Sequence, residues 1–569
     1  MKKQLLNKNM NPVKVKLRTT RAKEQELSQL SPFELKDKFI SLANDNAKKS
    51  TYQMLNAGRG NPNWIAATPR EGFFLLGLFA VGEARLANSS LMNTKDGMAG
   101  MPAQKGIYNR FKVFIKKNLN QKKVLPGAKF LQDAVNYGIK ILNFNPDAWV
   151  YELTDAVIGD QYPTPDRMLS HIEKTVHKYL VQEMCNNIAP EKSSSGKYDL
   201  FAVEGGTAAM CYIYDTLMIQ GLINRGDKIA LMVPTFTPYI EMSHLDRYKF
   251  NVIEIHASEM GSKEQGHTWQ FPDSEIDKLT DREIKLLFVV NPTNPPSVAI
   301  RESSIKRIEK IVRKMNPNLM IVTDDVYGTF VEGFRSLMSL LPHNTIGVYS
   351  FSKYFGCTGW RLGVIAVHEK NIYDSMLSAI PEKQRRKLHQ RYAAITMHPE
   401  KLKFIDRLVA DSRQVALNHT AGLSLPQQAQ MALFSLFALT DKQNKYKKLT
   451  RSVIEKRRNL LWKGMNLPLP PADPNRAWYY VELDILNWAK SEFGKEFADY
   501  LVKHFEPVDM LFRLAELTSI VLLNGGGFGG PEWSVRVSLA NLPDEAYEEI
   551  GKQLRNIAVG YIEDWKGKN

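Results

Sequence analysis

The sequence predicts an α/β fold in two parts, a large domain on a mostly parallel sheet followed by a smaller α+β domain. Three observations carry this. Between Tyr198 and Val367 the apolar runs "YDLFAV", "KIALMV", "FNVIEI", "IKLLFVV", "LMIVTD", "TIGVYSF" and "GVIAV" alternate with longer helical stretches, as in a parallel sheet covered on both faces. Near Asn444 the alternation gives way to the basic amphipathic stretch "YKKLTRSVIEKRRNLLWKGM", then "AWYYVELD", more helix and "WSVRVSLANL", which suits an α+β unit. At 569 residues the chain exceeds what one hydrophobic core serves.

Taken in order, residues 1–24 read as a basic disordered tail. Met1 to Lys23 holds Lys2, Lys3, Lys8, Lys14, Lys16, Arg18, Arg21 and Lys23 with no acidic residue, half of the net charge of +16. The remainder is only mildly basic, which argues against a nucleic-acid surface. Residues 25–160 read as an arm and a helical insert. In "LSPFELKDKFISLA", Ser31, Pro32 and Glu34 form a helix start, and Phe33, Leu35, Phe39, Ile40 and Leu42 are spaced to bury one side. The longest apolar run, "GFFLLGLFAVG" from Gly72 to Gly82, is far shorter than the ~20 residues of a membrane span. "MNTKDGMAGMPAQKG" from Met92 to Gly106 marks a loop between helices. Residues 161–440 are the large domain and 441–569 the small one. Cys185, Cys211 and Cys357, the three cysteines present, have no spacing suited to disulfides or zinc and fit a reducing cytoplasm.

In open α/β sheets ligands bind at the carboxyl ends of the strands. "EGGTAAM" follows the first run and sets Gly206 and Thr207 at a helix start, a phosphate-binding arrangement. "NPTNPPS" places Asn294 in a rigid turn, "DDVYGTF" places Asp324 and Tyr327 three apart, and "VYSFSKYFGCTGWRLG" places Ser350, Lys353 and Arg361 after the run that begins at Thr345. An acid, an amine, a guanidinium, a phosphate cradle and a phenol on successive strand ends suit a pyridoxal phosphate site. "GGGFGG" from Gly525 leads into a strand, and "GSKEQGHT" has His267 where a phosphate-binding lysine is needed, so neither is a nucleotide motif. Asp324 and Asp325 lack a third ligand of suitable spacing, so no metal is expected.

The ordered set "EGGTAAM", "PTFTPY", "NPTNPPS", "DDVY", "SFSKYFGCTGWRLG" and "VRVSLANL" resembles the class I aminotransferase group of fold-type I pyridoxal 5′-phosphate (PLP) enzymes, from about Tyr162 to the C-terminus. Within that group "LSPFELKDKFI", "LNAGRGNPNW", "QYPTPDRML" and the extra length before Asp160 resemble the bacterial aspartate 4-decarboxylases, which also transaminate aspartate. "NPPS" belongs with these, where other aminotransferases usually have Asn-Pro-Thr-Gly.

The resemblance implies that Lys353 anchors the cofactor covalently and that Asp324 pairs with the ring nitrogen. It implies that Asn294 and Tyr327 bond the ring's phenolic oxygen, that Gly206, Thr207, Ser350 and Arg361 hold the phosphate, and that Phe236 stacks on the ring. Arg536 would bind the substrate α-carboxylate and Arg59 the distal one, while Tyr162 would reach the phosphate of a neighbouring subunit. The implied reaction converts L-aspartate to L-alanine and CO2, with aspartate–2-oxo acid transamination at the same site. The implied assembly is a homo-oligomer with a dimer as its minimal unit and a dodecamer as its larger form, using the region before residue 160 and the segment Ala379 to Leu408 as candidate interfaces. A plain aminotransferase and a non-catalytic regulator on a PLP fold are the alternatives, and the second conflicts with the complete cofactor set.

Overall fold

The computed structural model describes residues 17–48, 53–87, 97–186, 197–262, 266–413 and 421–568. Its strands are β1 (Leu55–Asn56), β2 (Tyr198–Val203), β3 (Lys228–Val233), β4 (Asn251–His256), β5 (Ile284–Val290), β6 (Met320–Asp324), β7 (Thr345–Ser350), β8 (Gly363–His368), β9 (Tyr480–Asp484), β10 (Ile520–Val521), β11 (Leu523–Asn524) and β12 (Ser534–Ser538). Seven of these form one sheet in the order β2-β8-β7-β6-β5-β3-β4. β3 runs parallel to β4 and β5, β5 to β6, and β6 to β7, while β8 runs antiparallel to both β7 and β2. The sheet is therefore mostly parallel, and the apolar runs mark its strands to within a residue.

Those runs are apolar throughout because both faces are covered. Phe201, Leu231, Phe288, Val322 and Val348 pack on one face with residues of the Gly206–Ile219 and Phe404–Ser412 helices. Their neighbours along the strands turn the other way. Met232, Leu287 and Ile321 meet Ile308 and Ile311 of the Glu302–Lys314 helix, and Leu200 and Tyr349 meet the Ser170–Met184 and Leu425–Thr440 helices. This alternation is the two-residue period of a strand seen with both sides dry.

The remaining strands form two small sheets, β11-β12-β9 and β1-β10. In the first, antiparallel β9 and β12 set Arg536 opposite Glu482. In the second, Leu55 and Asn56 pair in parallel with Ile520 and Val521, which ties the segment after the arm to the C-terminal region. The arm is the Pro32–Ala47 helix, capped by the Ser31 hydroxyl, with Leu35, Phe39 and Ala43 buried. Phe39 meets Phe512 edge-on at 5.0 Å. Phe33, Ile40 and Leu42 are only half-buried.

Between residues 67 and 158 the helices Ala67–Leu86, Ile107–Leu119, Pro126–Lys140 and Pro146–Ile158 pack on one another. The loop expected over residues 92–106 is described only from residue 97. One expectation, on the tail, is corrected. The tail does not stay solvated through residue 24, because the backbone N–H of Arg18 donates to Glu516 at 2.8 Å, Arg21 pairs with Glu506 at 2.5 Å, and a helix begins at Arg21. Residues 1–16 lie outside the described residues. The segment Ala379 to Leu408, offered as an interface, buries Leu388, Tyr392, Phe404 and Leu408 in its own chain's core.

Candidate active site

Three strand ends converge on one cavity of about 320 Å³. β5 ends at Val290, β6 at Asp324 and β7 at Ser350, and all three residues line it. The cavity also brings together Gly206, Thr207, Phe236, Asn294, Tyr327, Lys353, Arg361 and Arg536. These are ten of the twelve residues singled out in the sequence, counting Asp324 and Ser350. The other two lie elsewhere in the single chain, since Arg59 is exposed and Tyr162 is 65% exposed, and neither lines the cavity.

One end of the cavity is built for a dianion. Gly206 and Thr207 open the Gly206–Ile219 helix, whose first N–H groups have no partner inside the helix. The guanidinium of Arg361 lies against the turn before it. A Cβ on Gly205 would fall 2.5 Å from Nη2 of Arg361, and Gly205 has φ +89°. Glycine is thus required twice over, for its conformation and for room. Arg361 itself is held in a left-handed backbone, φ +52°, with Nη1 donating to the Thr358 carbonyl at 3.1 Å. Ser350 donates to the Ser352 hydroxyl at 2.9 Å, so two hydroxyls complete the cradle.

The centre of the cavity is anchored on Asp324, a buried carboxylate. Tyr239 donates to Oδ2 at 2.7 Å and the Val326 N–H to Oδ1 at 3.2 Å. Burial pushes the Asp324 carboxyl up, opposed by those two hydrogen bonds and by the charge of Lys353. Burial also pushes the Tyr239 phenol well above its usual range, so Tyr239 stays protonated and remains a donor. Lys353 follows directly on the β7 end, and its Nζ donates to the Gly60 carbonyl at 3.1 Å.

At the other end Arg536 is 1% exposed. Its Nη2 donates to the Gly58 carbonyl at 2.8 Å and its Nη1 to Oδ1 of Asn294 at 3.2 Å. The guanidinium carbon stands 4.4 Å from the Tyr480 ring centroid and 4.8 Å from that of Phe528, a geometry in which aromatic faces compensate part of the lost hydration. The segment "GRGNPNW" therefore reaches the cavity through the carbonyls of Gly58 and Gly60 and through Asn61, while Arg59 is exposed.

Several cavity residues had no assigned role in the sequence. Tyr239 follows Phe236 by three positions in "PTFTPY", a helical spacing that could have exposed it. Phe33 comes from the arm and meets Phe236 edge-on at 5.8 Å. Tyr480 is the deepest omission. Its hydroxyl accepts from Tyr327 at 3.1 Å, and its N–H donates to the Ser297 hydroxyl at 2.9 Å. Ser297, in the divergent "NPPS", has φ +56°, a conformation glycine adopts freely and serine at a cost. The serine supplies a hydroxyl that fixes the Tyr480 backbone, which glycine could not.

Residues 199–554 match the family model described as aminotransferase class I and II. The chain is 47% identical over 95% of its length, and 98% of the relative's, to a bifunctional aspartate aminotransferase and L-aspartate beta-decarboxylase from a Pseudomonas species. Among solved structures it resembles in fold an aspartate aminotransferase from Thermus thermophilus with maleate, at TM-score 0.53 and 15% identity over 95% of this chain and 100% of that one. An aromatic aminotransferase from Pyrococcus horikoshii gives TM-score 0.50 at 19% identity over 74% and 94% of the two chains.

Glu482, opposite Arg536 in the β9–β12 pair, sets an electrostatic condition on the site. Burial and the nearby Asp484 push its carboxyl up to about 8, against a hydrogen bond from Ser534 and the charge of Arg536. Below that pH the group is neutral and leaves Arg536 its full charge. Above it, a new negative charge competes with any carboxylate bound at Arg536. The dissociation constant of a carboxylate ligand should therefore rise as pH passes through about 8, and Glu482→Gln should flatten that rise. A titration of binding against pH checks it, and an identical rise in the variant would remove Glu482 from the site's electrostatics.

Proposed function

Because the chain belongs to the aminotransferase class I and II family, we propose that it decarboxylates L-aspartate at the β-carboxylate to L-alanine and CO2, and transaminates aspartate with 2-oxo acids at the same site. The observation that carries this reading is the near end-to-end match to the bifunctional Pseudomonas enzyme, which spans the arm, the helical insert and the divergent "NPPS" as well as the family core.

The cofactor of the family is pyridoxal 5′-phosphate, and the residues present suit it. The turn at Gly205 has no room for a Cβ beside Arg361, a helix N-terminus and two hydroxyls complete an anion cradle, and a buried carboxylate stands where a ring nitrogen would need one. When bound, the cofactor supplies an electron sink through which aspartate can lose its α proton or its β-carboxylate. Gly206, Thr207, Ser350 and Arg361 would hold the phosphate, and Arg361 offers it a planar fork that a lysine could not. Asp324, steadied by Tyr239, would keep the ring nitrogen protonated. Asn294 and Tyr327 would reach the phenolic oxygen and Phe236 the ring face.

Lys353 would anchor the cofactor and carry the mobile protons, taking one from the substrate Cα, passing one from solvent to Cβ once CO2 has left, and returning one to Cα to give L-alanine. Arg536 would bind the α-carboxylate. Among the described residues lining the cavity the cationic side chains are Lys353, Arg361 and Arg536, each already given a partner by these roles. The distal carboxylate then meets no guanidinium of its own chain. A carboxylate held without strong ion pairs leaves more readily as CO2, because little ground-state stabilisation is lost as its charge flows away in the transition state.

The exposed position of Tyr162 suits a residue that serves the cavity of a second subunit. An apolar stripe on the Ala67–Leu86 helix supports such an assembly. Phe74, Leu78 and Val81 are 60%, 67% and 51% exposed and share one helix face, which suits burial against another copy, with a dimer as the minimal unit and a larger ring of dimers as its extension. The free cysteines Cys185, Cys211 and Cys357 accord with a reducing cytoplasm, and no helix among the described residues is long and apolar enough to cross a membrane.

Supplying L-aspartate alone tests the assignment. Alanine and CO2 should accumulate over many turnovers, whereas an enzyme confined to transamination stalls after one half-reaction until a 2-oxo acid is added. Gly60 offers a second check. A Cβ there would lie 2.6 Å from the Tyr480 hydroxyl and 3.2 Å from Lys353 Nζ, so Gly60→Ala should displace both. Misplacement of this size costs about 100-fold in rate, and kcat should fall by that order while the absorbance of bound cofactor is kept. An unaltered kcat would place the Gly60 contact outside the reaction.

A further inference from the structure

Tyr480 lines the cavity between two residues with assigned roles, Tyr327 and Arg536. The fold fixes it from three sides. Its backbone N–H donates to the Ser297 hydroxyl at 2.9 Å, and Ser297 takes a left-handed backbone, φ +56°, to offer that oxygen. The β9–β12 pairing sets it opposite Ser538. Gly60 leaves room for its side chain, since a Cβ on Gly60 would fall 2.6 Å from the Tyr480 hydroxyl. A tyrosine held this closely presents each of its two chemical parts, hydroxyl and ring, to a particular neighbour.

The hydroxyl meets Tyr327. The two phenol oxygens stand 3.1 Å apart, with Tyr327 donating. Burial holds the Tyr327 phenol well above its usual range, so it keeps its proton. The pair has two O–H groups and one hydrogen bond between them, and among the described residues neither hydroxyl makes another. One donor is therefore unspent. When Tyr327 turns its proton toward a phenolic oxygen in the cavity, Tyr480 can donate to the Tyr327 oxygen in return. A hydroxyl that accepts while it donates is the stronger donor, because chained hydrogen bonds polarise one another.

The ring meets Arg536. The guanidinium carbon stands 4.4 Å from its centroid, closer than the 4.8 Å to Phe528. A desolvated cation gains most from such a contact, and Arg536 is buried. Ring and hydroxyl thus act on different groups and can be removed separately.

We propose that Tyr480 is a positioning residue for both ends of the site: its hydroxyl backs Tyr327 as donor to the cofactor's phenolic oxygen, and its ring holds Arg536 ready for the substrate carboxylate. The first half rests on the cofactor role given to Tyr327. A donor on the phenolic oxygen favours the state in which that oxygen bears its full negative charge, so it lowers the pH at which the bound cofactor gives up its proton. Tyr480 acts on that pH through Tyr327. The titratable and charged groups around the pair are Tyr479, whose ring lies 5.1 Å from that of Tyr327 and 5.0 Å from that of Tyr480, Lys353 beside Gly60, and Arg536. Glu482 lies opposite Arg536, and Asp324 with its donor Tyr239 also lines the cavity. Tyr480→Phe leaves all of them in place.

Titrating the absorbance of the cofactor-loaded protein against pH tests the hydroxyl, and succinate binding, measured below the pH midpoints of all the proteins compared, tests the ring. Tyr480→Phe should raise the midpoint by about half a pH unit and keep the dissociation constant of succinate within about twofold of the parent's. Tyr480→Leu should raise the midpoint as well and weaken succinate binding roughly tenfold. A midpoint unchanged or lowered in Tyr480→Phe would overturn the proposal. So would succinate binding as tightly to Tyr480→Leu as to the parent. A parent protein that gains no cofactor absorbance from pyridoxal phosphate would instead overturn the cofactor assignment itself, and the role of the hydroxyl with it.

Discussion

The site depends on a guanidinium buried without a bidentate carboxylate. Taking Arg536 out of water costs several kcal/mol, and the chain offsets this with parts drawn from the whole molecule. Gly58 belongs to the segment that β1 ties to β10, Asn294 to the turn after β5, Tyr480 to the small antiparallel sheet and Phe528 to the loop between its strands β11 and β12. None of these is a full counter-charge. The carboxyl set opposite it, Glu482, is pushed toward neutrality by the same burial. What results is an electrostatic demand for an anion, kept in place by packing and paid for by the stability of the surrounding fold.

Much of the local architecture follows from holding that demand beside Asp324 and Lys353. The small sheet must approach the carboxyl ends of β5 to β7, and it does so over surfaces that leave little room. Gly525 and Gly530 pass so close to Glu482 that a Cβ on either would sit 2.5 Å from Oε1. Ser297 accepts a left-handed backbone to fix the N–H of Tyr480. Strain of this kind persists where the surroundings over-determine it, here in the turn that carries Asn294 into the cavity.

The fold was legible in the sequence to the extent that burial leaves a one-dimensional trace. A strand dry on both faces is an uninterrupted apolar run, so β2, β3 and β5 could be delimited to the residue. The site was legible where a residue follows such a run: Asp324, Ser350 and Lys353 are positioned by the strand that precedes them. Tyr480 and Glu482 were not, because they lie within a strand of alternating character, where a phenol facing the cavity and a phenol facing the core read alike. Arg59 is absent from the cavity of its own chain for a related reason. Its segment was correctly associated with the site, but the contact is made by the carbonyls on either side of it, and a backbone contact leaves no mark in residue type.

The central claim, that the charge of Arg536 is left uncompensated in order to receive a substrate carboxylate, is tested most directly by the thermal stability of the cofactor-loaded protein with and without succinate, a dicarboxylate that cannot react. A ligand at 100 times its dissociation constant stabilises by ~2.7 kcal/mol. The parent protein should show a gain of that order, and Arg536→Gln should show none at the same concentration while its bound-cofactor absorbance is unchanged. An equal gain in both proteins would contradict the account and assign the carboxylate to another group.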